Sequence, residues 1–237
     1  AKYGDSRLNT DIVLHYIGMT ITQPNSSGII SIGQHEYLRK IIKAVGVTTK
    51  ATNPNHPNLM MAMFAGKRSR GDILTPCSIL ATRAQDPDED DFQALLRIYE
   101  YLNETVDLLL TFSPTSMELH YWIDASYAIH PKDMRGHTGV LVTLGYNNGP
   151  IFVKSSKQKL HARSSSEAEL LALDDGFIHL LWLRQVMDFL GYPQNPAVVY
   201  QDNKSTICVC ETGHSRNGKL KHMAVRYYFI HGQITSH

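Results

Sequence analysis

Apolar and polar positions alternate near the N-terminus and again after residue 119, while between those stretches they recur at helical spacing. Residues 13–22 (VLHYIGMTIT) predict one strand and residues 28–32 a second; PNSSG between them supplies turn chemistry, so a hairpin is expected. Tyr37, Leu38, Ile41, Ile42 and Val45 share a stripe that predicts a short helix over residues 36–45, ended by Gly46. Residues 48–60 (TTKATNPNHPNLM) are rich in turn formers and predict an exposed loop. Phe92, Leu95, Leu96, Tyr99 and Leu102 predict a helix over about 88–103. The acidic run DPDEDD at 86–91 fits the first turn of that helix, where carboxylates offset the dipole, better than it fits a metal site.

The second half changes character. Residues 119–127, 138–144 and 150–155 predict three strands joined by short links such as GYNNG. A long helix over about 165–190 follows, stopped by Gly191 and Pro193. Residues 197–201 read as a buried strand, a helix opens near Asn203, and residues 221–231 are again helical. Three strands, a helix, a strand and more helices make an α/β unit with a mixed sheet. A boundary is expected between residues 112 and 119 (FSPTSMEL), giving units 1–115 and 119–237.

Length and composition add little beyond favouring two small units: the chain has 237 residues, 43% hydrophobic and 19% charged. No apolar run is long enough to span a bilayer and AKYGDSRLNT carries no signal region, so a soluble protein is expected. Cys77, Cys208 and Cys210 form no disulfide framework, and no Cys or His stands at zinc spacing beside TICVC; buried thiols in a reducing compartment are the plain reading. The net charge of +1 argues against nucleic acid, but it is unevenly distributed. Residues 1–120 carry 11 Lys+Arg against 13 Asp+Glu, and residues 121–237 carry 12 against 9. Lys204, Arg216, Lys219, Lys221 and Arg226 crowd the second half and suit either phosphates or a solvated surface.

Two aspartates stand where aspartate is disfavoured. Asp124 interrupts an aromatic strand (HYWIDASYA), and Asp202 ends an apolar one (AVVYQDN), at the sheet edge where α/β proteins place ligands. Glu169 follows Ser164-Ser165-Ser166 near the start of the long helix; capping accounts for Ser164 and Glu167 but leaves Glu169 unexplained. Converging carboxylates without a basic partner repel, and a hard cation such as Mg²⁺ relieves them. Two such ions about 3.5–4 Å apart activate a water and stabilise the leaving oxygen in phosphodiester cleavage. No nucleophile elbow and no phosphate-cradling P-loop is present.

WIDAS, GPIFVKSSKQKLHARSSSEAELLAL, VVYQDNKSTI and KHMAVRYYFI, in that order, resemble the ribonuclease H domain of copia-type retrotransposon Pol polyproteins over most of residues 119–231. LHYIGMTI, AGKRSRGDI and FQALLRIYEYLNET resemble the stretch that follows the polymerase palm in the same polyproteins. The resemblance implies a ribonuclease H-like mixed sheet flanked by helices, preceded by a smaller α+β region like a reverse transcriptase thumb or connection. It implies Mg²⁺-dependent endonucleolytic cleavage of the RNA strand of an RNA/DNA hybrid, with two metal ions and Mn²⁺ as a substitute. The implied metal ligands and catalytic acids are Asp124, Glu169 and Asp202. Glu169 rather than Glu167 matches the family's E-[LY]-x-A pattern. His214 would be the mobile histidine of such sites, against the plainer reading of a surface histidine in TGHSRNG. Ser164, Ser165, Asn203 and Lys204 would touch the hybrid, or else cap helices. The family's fourth acid would follow His222-Met223, where this chain has Ala224, which implies impaired cleavage. A catalytically inactive binding or structural module, domesticated or engineered, is the alternative. The palm's paired aspartates would precede residue 1, so no polymerase site is expected here. The remaining partner would be the rest of the polyprotein, with no membrane, in the cytoplasm within the element's virus-like particle, or in the nucleus.

Overall fold

The computed structural model describes residues 13–23, 28–47, 55–113, 115–215 and 220–236. Its first sheet runs β1 (Val13–Tyr16), β2 (Met19–Thr22), β3 (Ile30–Gly33) and β4 (Leu110–Phe112), antiparallel throughout and in that spatial order. The single strand expected over 13–22 is thus two strands. Ile17 and Gly18 turn between them with φ of 47° and 71°, the double positive φ of a tight hairpin turn. β2 and β3 pair as expected, and residues 24–27 between them lie outside the described residues.

Four α-helices complete the first half: α1 (His35–Val47), α2 (Asn55–Gly66), α3 (Leu74–Ala81) and α4 (Glu89–Glu104). The loop expected over 48–60 gives way at residue 55 to α2, while 48–54 lie outside the described residues. Pro57 falls in the first turn, where no N–H is needed, and Leu59, Ala62 and Ala65 are buried at helical spacing. The acidic run does cap α4: the Asp88 side chain accepts from the Asp91 amide, and Asp91 reciprocates. Arg70, 1% exposed, donates to the Asp72 carboxylate, the Thr105 carbonyl and Thr105 Oγ1, and lies over the Tyr101 ring. Burial would raise the Asp72 carboxyl, but bonds from Arg70 and Tyr101 outweigh it and hold it low.

The chain then passes to a second sheet of β5 (Leu119–Ser126), β6 (His137–Leu144), β7 (Pro150–Lys157) and β8 (Val198–Tyr200), in the order β7-β6-β5-β8. β5, β6 and β7 are antiparallel neighbours, whereas β8 lies parallel to β5, which makes the sheet mixed and ribonuclease H-like. α5 (Ser165–Phe189) covers one face, where Leu119, Tyr121, Ile123, Val140 and Val142 meet Leu170, Leu173, Phe177 and Leu180. α6 (Lys204–Thr212) and α7 (Ala224–Thr235) close the cluster. β8 sits at an edge with Val198 46% exposed, so the buried strand expected at 197–201 presents only alternate residues, such as Val199, to the core.

Side chains stitch the halves together. His130 Nε2 and His137 Nδ1 lie 3.1 Å apart, His137 Nε2 meets Ser155 Oγ at 2.7 Å, and Ser155 Oγ donates to Thr75 Oγ1 on α3. Ser78 Oγ donates to the Ser155 carbonyl at 2.8 Å. Burial pushes His137 down to about 4, with His130 adding to the effect; burial also lowers His130. At the other end of β7, Asn148 Oδ1 accepts from the Ser113 amide, and a Cβ on Gly149 would collide with the Thr111 carbonyl oxygen.

Candidate active site

Asp124 comes from β5, Asp202 follows β8, and Glu169 projects from the second turn of α5. One carboxylate oxygen from each lies within 4.8 Å of the others, and theirs is the one group of three or more potential metal ligands among the described residues. Parallel pairing of β5 with β8 brings the two aspartates to the same sheet edge. The first turn of α5 is then tied to α6 by Thr206 Oγ1, which donates to the Ser166 carbonyl. Asp124 and Asp202 are exposed, whereas Glu169 is 6% exposed. Burial pushes the Glu169 carboxyl up to about 7; the Gln201 hydrogen bond pulls the other way, and the charges of Asp124 and Asp202 push further up. An all-oxygen donor set whose buried member is pushed toward its protonated form, first by burial and then by its neighbours' charges, suits a hard divalent cation.

Gln201 holds this arrangement and was not singled out from the sequence. Its amide donates to Glu169 Oε2 at 3.1 Å and to the Ile123 carbonyl, while its Oε1 accepts from the Asn203 amide at 2.9 Å. The available signal was parity: Gln201 shares the core-facing side of the strand end with Val199, where a polar residue needs a partner. Gln158, 1% exposed, plays a similar part from the end of β7, donating to the Ala168 carbonyl in α5 at 2.8 Å.

The remaining expected residues divide. Ser164 caps α5 by accepting from the Glu167 amide, and Asn203 caps α6 by accepting from the Thr206 amide. Ser165 and Lys204 are exposed beside the acids in sequence, each as the first residue of its helix. His214 does not join the cluster; its Nδ1 lies 3.0 Å from the Thr212 carbonyl in its own turn. Glu167 reaches back to the Arg163 amide rather than to the acids.

Position 224, where the resemblance puts the family's fourth acid, holds an alanine. His222 Nε2 lies 3.4 Å from Glu167 Oε1, and Arg226 pairs with Asp174. At roughly 100° per residue, Glu167 and Asp174 share one face of α5, and Glu169 points roughly 140–160° away from both. Ala224, between the two pairing residues, packs half-buried on the hydrophobic cluster, and its methyl group offers no metal ligand.

No family model matches the sequence. The retrovirus-related Pol polyprotein from transposon RE1 of Arabidopsis thaliana is 27% identical over 232 residues, covering 87% of this chain and 16% of that protein. The corresponding polyprotein from transposon RE2 of the same plant is 32% identical over 172 residues, covering 71% of this chain and 12% of that protein. The structure of a foamy viral protease-reverse transcriptase in complex with dsDNA aligns with 92% of this chain and 42% of that one, at 16% identity and a TM-score of 0.45. The chain thus spans less than a fifth of the curated polyproteins it matches. Sequence kinship over most of its length places this chain among the relatives of the Pol polyproteins of plant copia-type transposons, as the counterpart of one segment of them.

Proposed function

We propose that residues 119–237 hydrolyse the RNA strand of an RNA/DNA hybrid with the help of Mg²⁺, and that residues 1–115 are the thumb- or connection-like region of the same reverse transcriptase. The observation that carries this reading is the convergence of Asp124, Glu169 and Asp202 within 4.8 Å on a ribonuclease H-like sheet. Those three residues would hold the metal. Bound there, Mg²⁺ or Mn²⁺ would supply an activated water and neutralise charge on the leaving oxygen. The exposed aspartates would be open to substrate, Glu169 would bind the cation as its deprotonated carboxylate, and Gln201, which donates to Glu169 Oε2, would hold that carboxylate in place. Ser165 and Lys204, exposed at their helix starts, would meet the sugar-phosphate backbone, whose 2′-hydroxyls distinguish the RNA strand.

One observation favours a second reading, a binding module without turnover: only three acids converge among the described residues, one fewer than the resemblance implies. Calorimetric titration with Mg²⁺ and Mn²⁺, paired with a gel assay on a labelled hybrid, separates the two. Metal affinity should rise as pH increases through about 7, the range in which Glu169 loses its proton. Metal binding with cleavage of the hybrid, but not of duplex DNA, is the expected result; metal binding without cleavage selects the module. A site that binds neither ion overturns the metal assignment.

Ala224→Asp sharpens the choice. An aspartate at 224 would supply the fourth acid that the resemblance implies and should raise cleavage by on the order of a hundredfold, the equivalent of about 3 kcal/mol of metal-assisted stabilisation. An unchanged rate in a variant that still binds hybrid and metal would place position 224 outside the metal site.

A further inference from the structure

Between the halves lies a cleft of about 920 Å³, walled on one side by the end of α2 and the start of α3, and on the other by β7 and α5. Its lining is cationic. Lys67 and Arg68 stand on the first wall, and Lys154, Lys157 and Lys159 on the second, against one acid, Asp175. Lys157 is engaged by Asp133 at 2.8 Å, but Lys67, Lys154 and Lys159 have no carboxylate within ion-pair distance among the described residues. Uncompensated lysines facing one another across a cleft repel, which is a cost unless an anion lies between them.

The cleft also reaches the level of the acidic edge along the sheet. Asp124 pairs with Gly139, and Gly139 with Ser155, so Ser155 is level with Asp124 across the sheet. β7 runs parallel to β5, since each is antiparallel to β6, and Lys157 and Lys159 therefore lie toward the sheet edge where Asp124 and Asp202 sit. We infer that this cleft holds the phosphate backbone of the nucleic acid as it leads away from the acids, gripped by Lys67 from one half and by Lys154 and Lys159 from the other. The inference rests on the nuclease reading for its ligand, and it assigns the junction of the halves as a binding site for any duplex sequence. Contacts to phosphate carry no base information and are salt-dependent.

The test uses the full chain and a fluorescein-labelled RNA/DNA hybrid, read by anisotropy over a salt series, with Lys67→Glu and Lys159→Glu introduced singly and together. Both lysines are exposed. The double variant should bind at least about tenfold more weakly near 100 mM salt, and the slope of log K against log salt should shrink by nearly two, about 0.9 per lost phosphate contact. Mg²⁺ affinity and the urea midpoint should stay as in the parent. Unchanged hybrid affinity and slope in the double variant, while the parent still cuts, overturns the cleft and leaves the nuclease reading intact. Weakened binding in a chain that never cuts supports the cleft and removes the nuclease reading. A parent that binds neither hybrid nor duplex DNA overturns both.

Discussion

Asp124→Asn should reduce metal-dependent cleavage of the hybrid by on the order of a hundredfold while leaving the protein at least as stable as the parent. The two effects have one cause. Asp124 is an exposed carboxylate whose charge pushes the buried Glu169 carboxyl up, so in the metal-free protein its removal relieves repulsion rather than breaking a bond. In the metal-bound protein it withdraws an oxygen ligand, and losing about 3 kcal/mol of metal-assisted stabilisation slows turnover roughly a hundredfold. The amide retains shape and a carbonyl oxygen, so a folding defect cannot stand in for a chemical one. Denaturant midpoints, Mg²⁺ titration and single-turnover cleavage of the same preparation give the three readings. A carboxyl titration should also show Glu169 moving down from about 7. If Asp124→Asn cuts at the parental rate, this cluster is not the site of the reaction.

The second large effect is on stability against pH, and two buried groups pull in opposite directions. His137 titrates near 4 in the folded protein and near 6.5 when unfolded, so the unfolded chain binds the extra proton between those values and stability falls as pH drops from 6.5 to 4. Glu169 titrates near 7 folded and near 4.5 unfolded, so the folded chain binds the extra proton and stability rises as pH drops from 7 to 4.5. Each spans about 3 kcal/mol, and in the parent they nearly cancel. Glu169→Gln removes one side of the balance. Its urea-derived stability should therefore fall by about 3 kcal/mol between pH 7 and pH 4.5, relative to the parent. His137→Asn in that background should flatten the profile again. Parallel profiles for Glu169→Gln and the parent would show that Glu169 is not held as the structure indicates, and an unchanged slope on adding His137→Asn would show the same of His137.

The sequence made the second half legible because its strands are half-buried and its helices carry explicit start and stop signals. Ser164, Asn203 and Gly191 mark ends that the structure reproduces to within a residue or two, and the two aspartates were conspicuous because Asp124 occupies a strand position that disfavours it and Asp202 follows an apolar strand. The first half hid more. α3 is apolar nearly all round, so LTPCSILA gives no helical stripe, and α2 begins inside a run of Asn and Pro. Ile17 carries a φ that β-branched residues rarely adopt, so nothing local divided 13–22 into two strands. The partners around position 224 were hidden for another reason. His222 meets Glu167 and Arg226 meets Asp174, and which face of α5 they meet is a matter of packing between helices distant in sequence. The cationic cleft draws Lys67 and Lys159 from segments 92 residues apart, and no linear pattern joins them.

The turn at 145–149 reads as an ordinary hairpin link, the kind of place where chains usually accept insertions without harm. Here it is a fitting. Gly149 leaves room for the backbone of β4, and Asn148 accepts from the Ser113 amide just past that strand, so the shape of a loop in one half is set by the main chain of the other. Heredity should respect that dependence: lineages that lengthen this loop must also alter β4, and a second half grafted onto a foreign first half inherits a turn shaped for an absent neighbour. The two halves are therefore expected to travel and diverge together, exchanging as a pair rather than as separate modules.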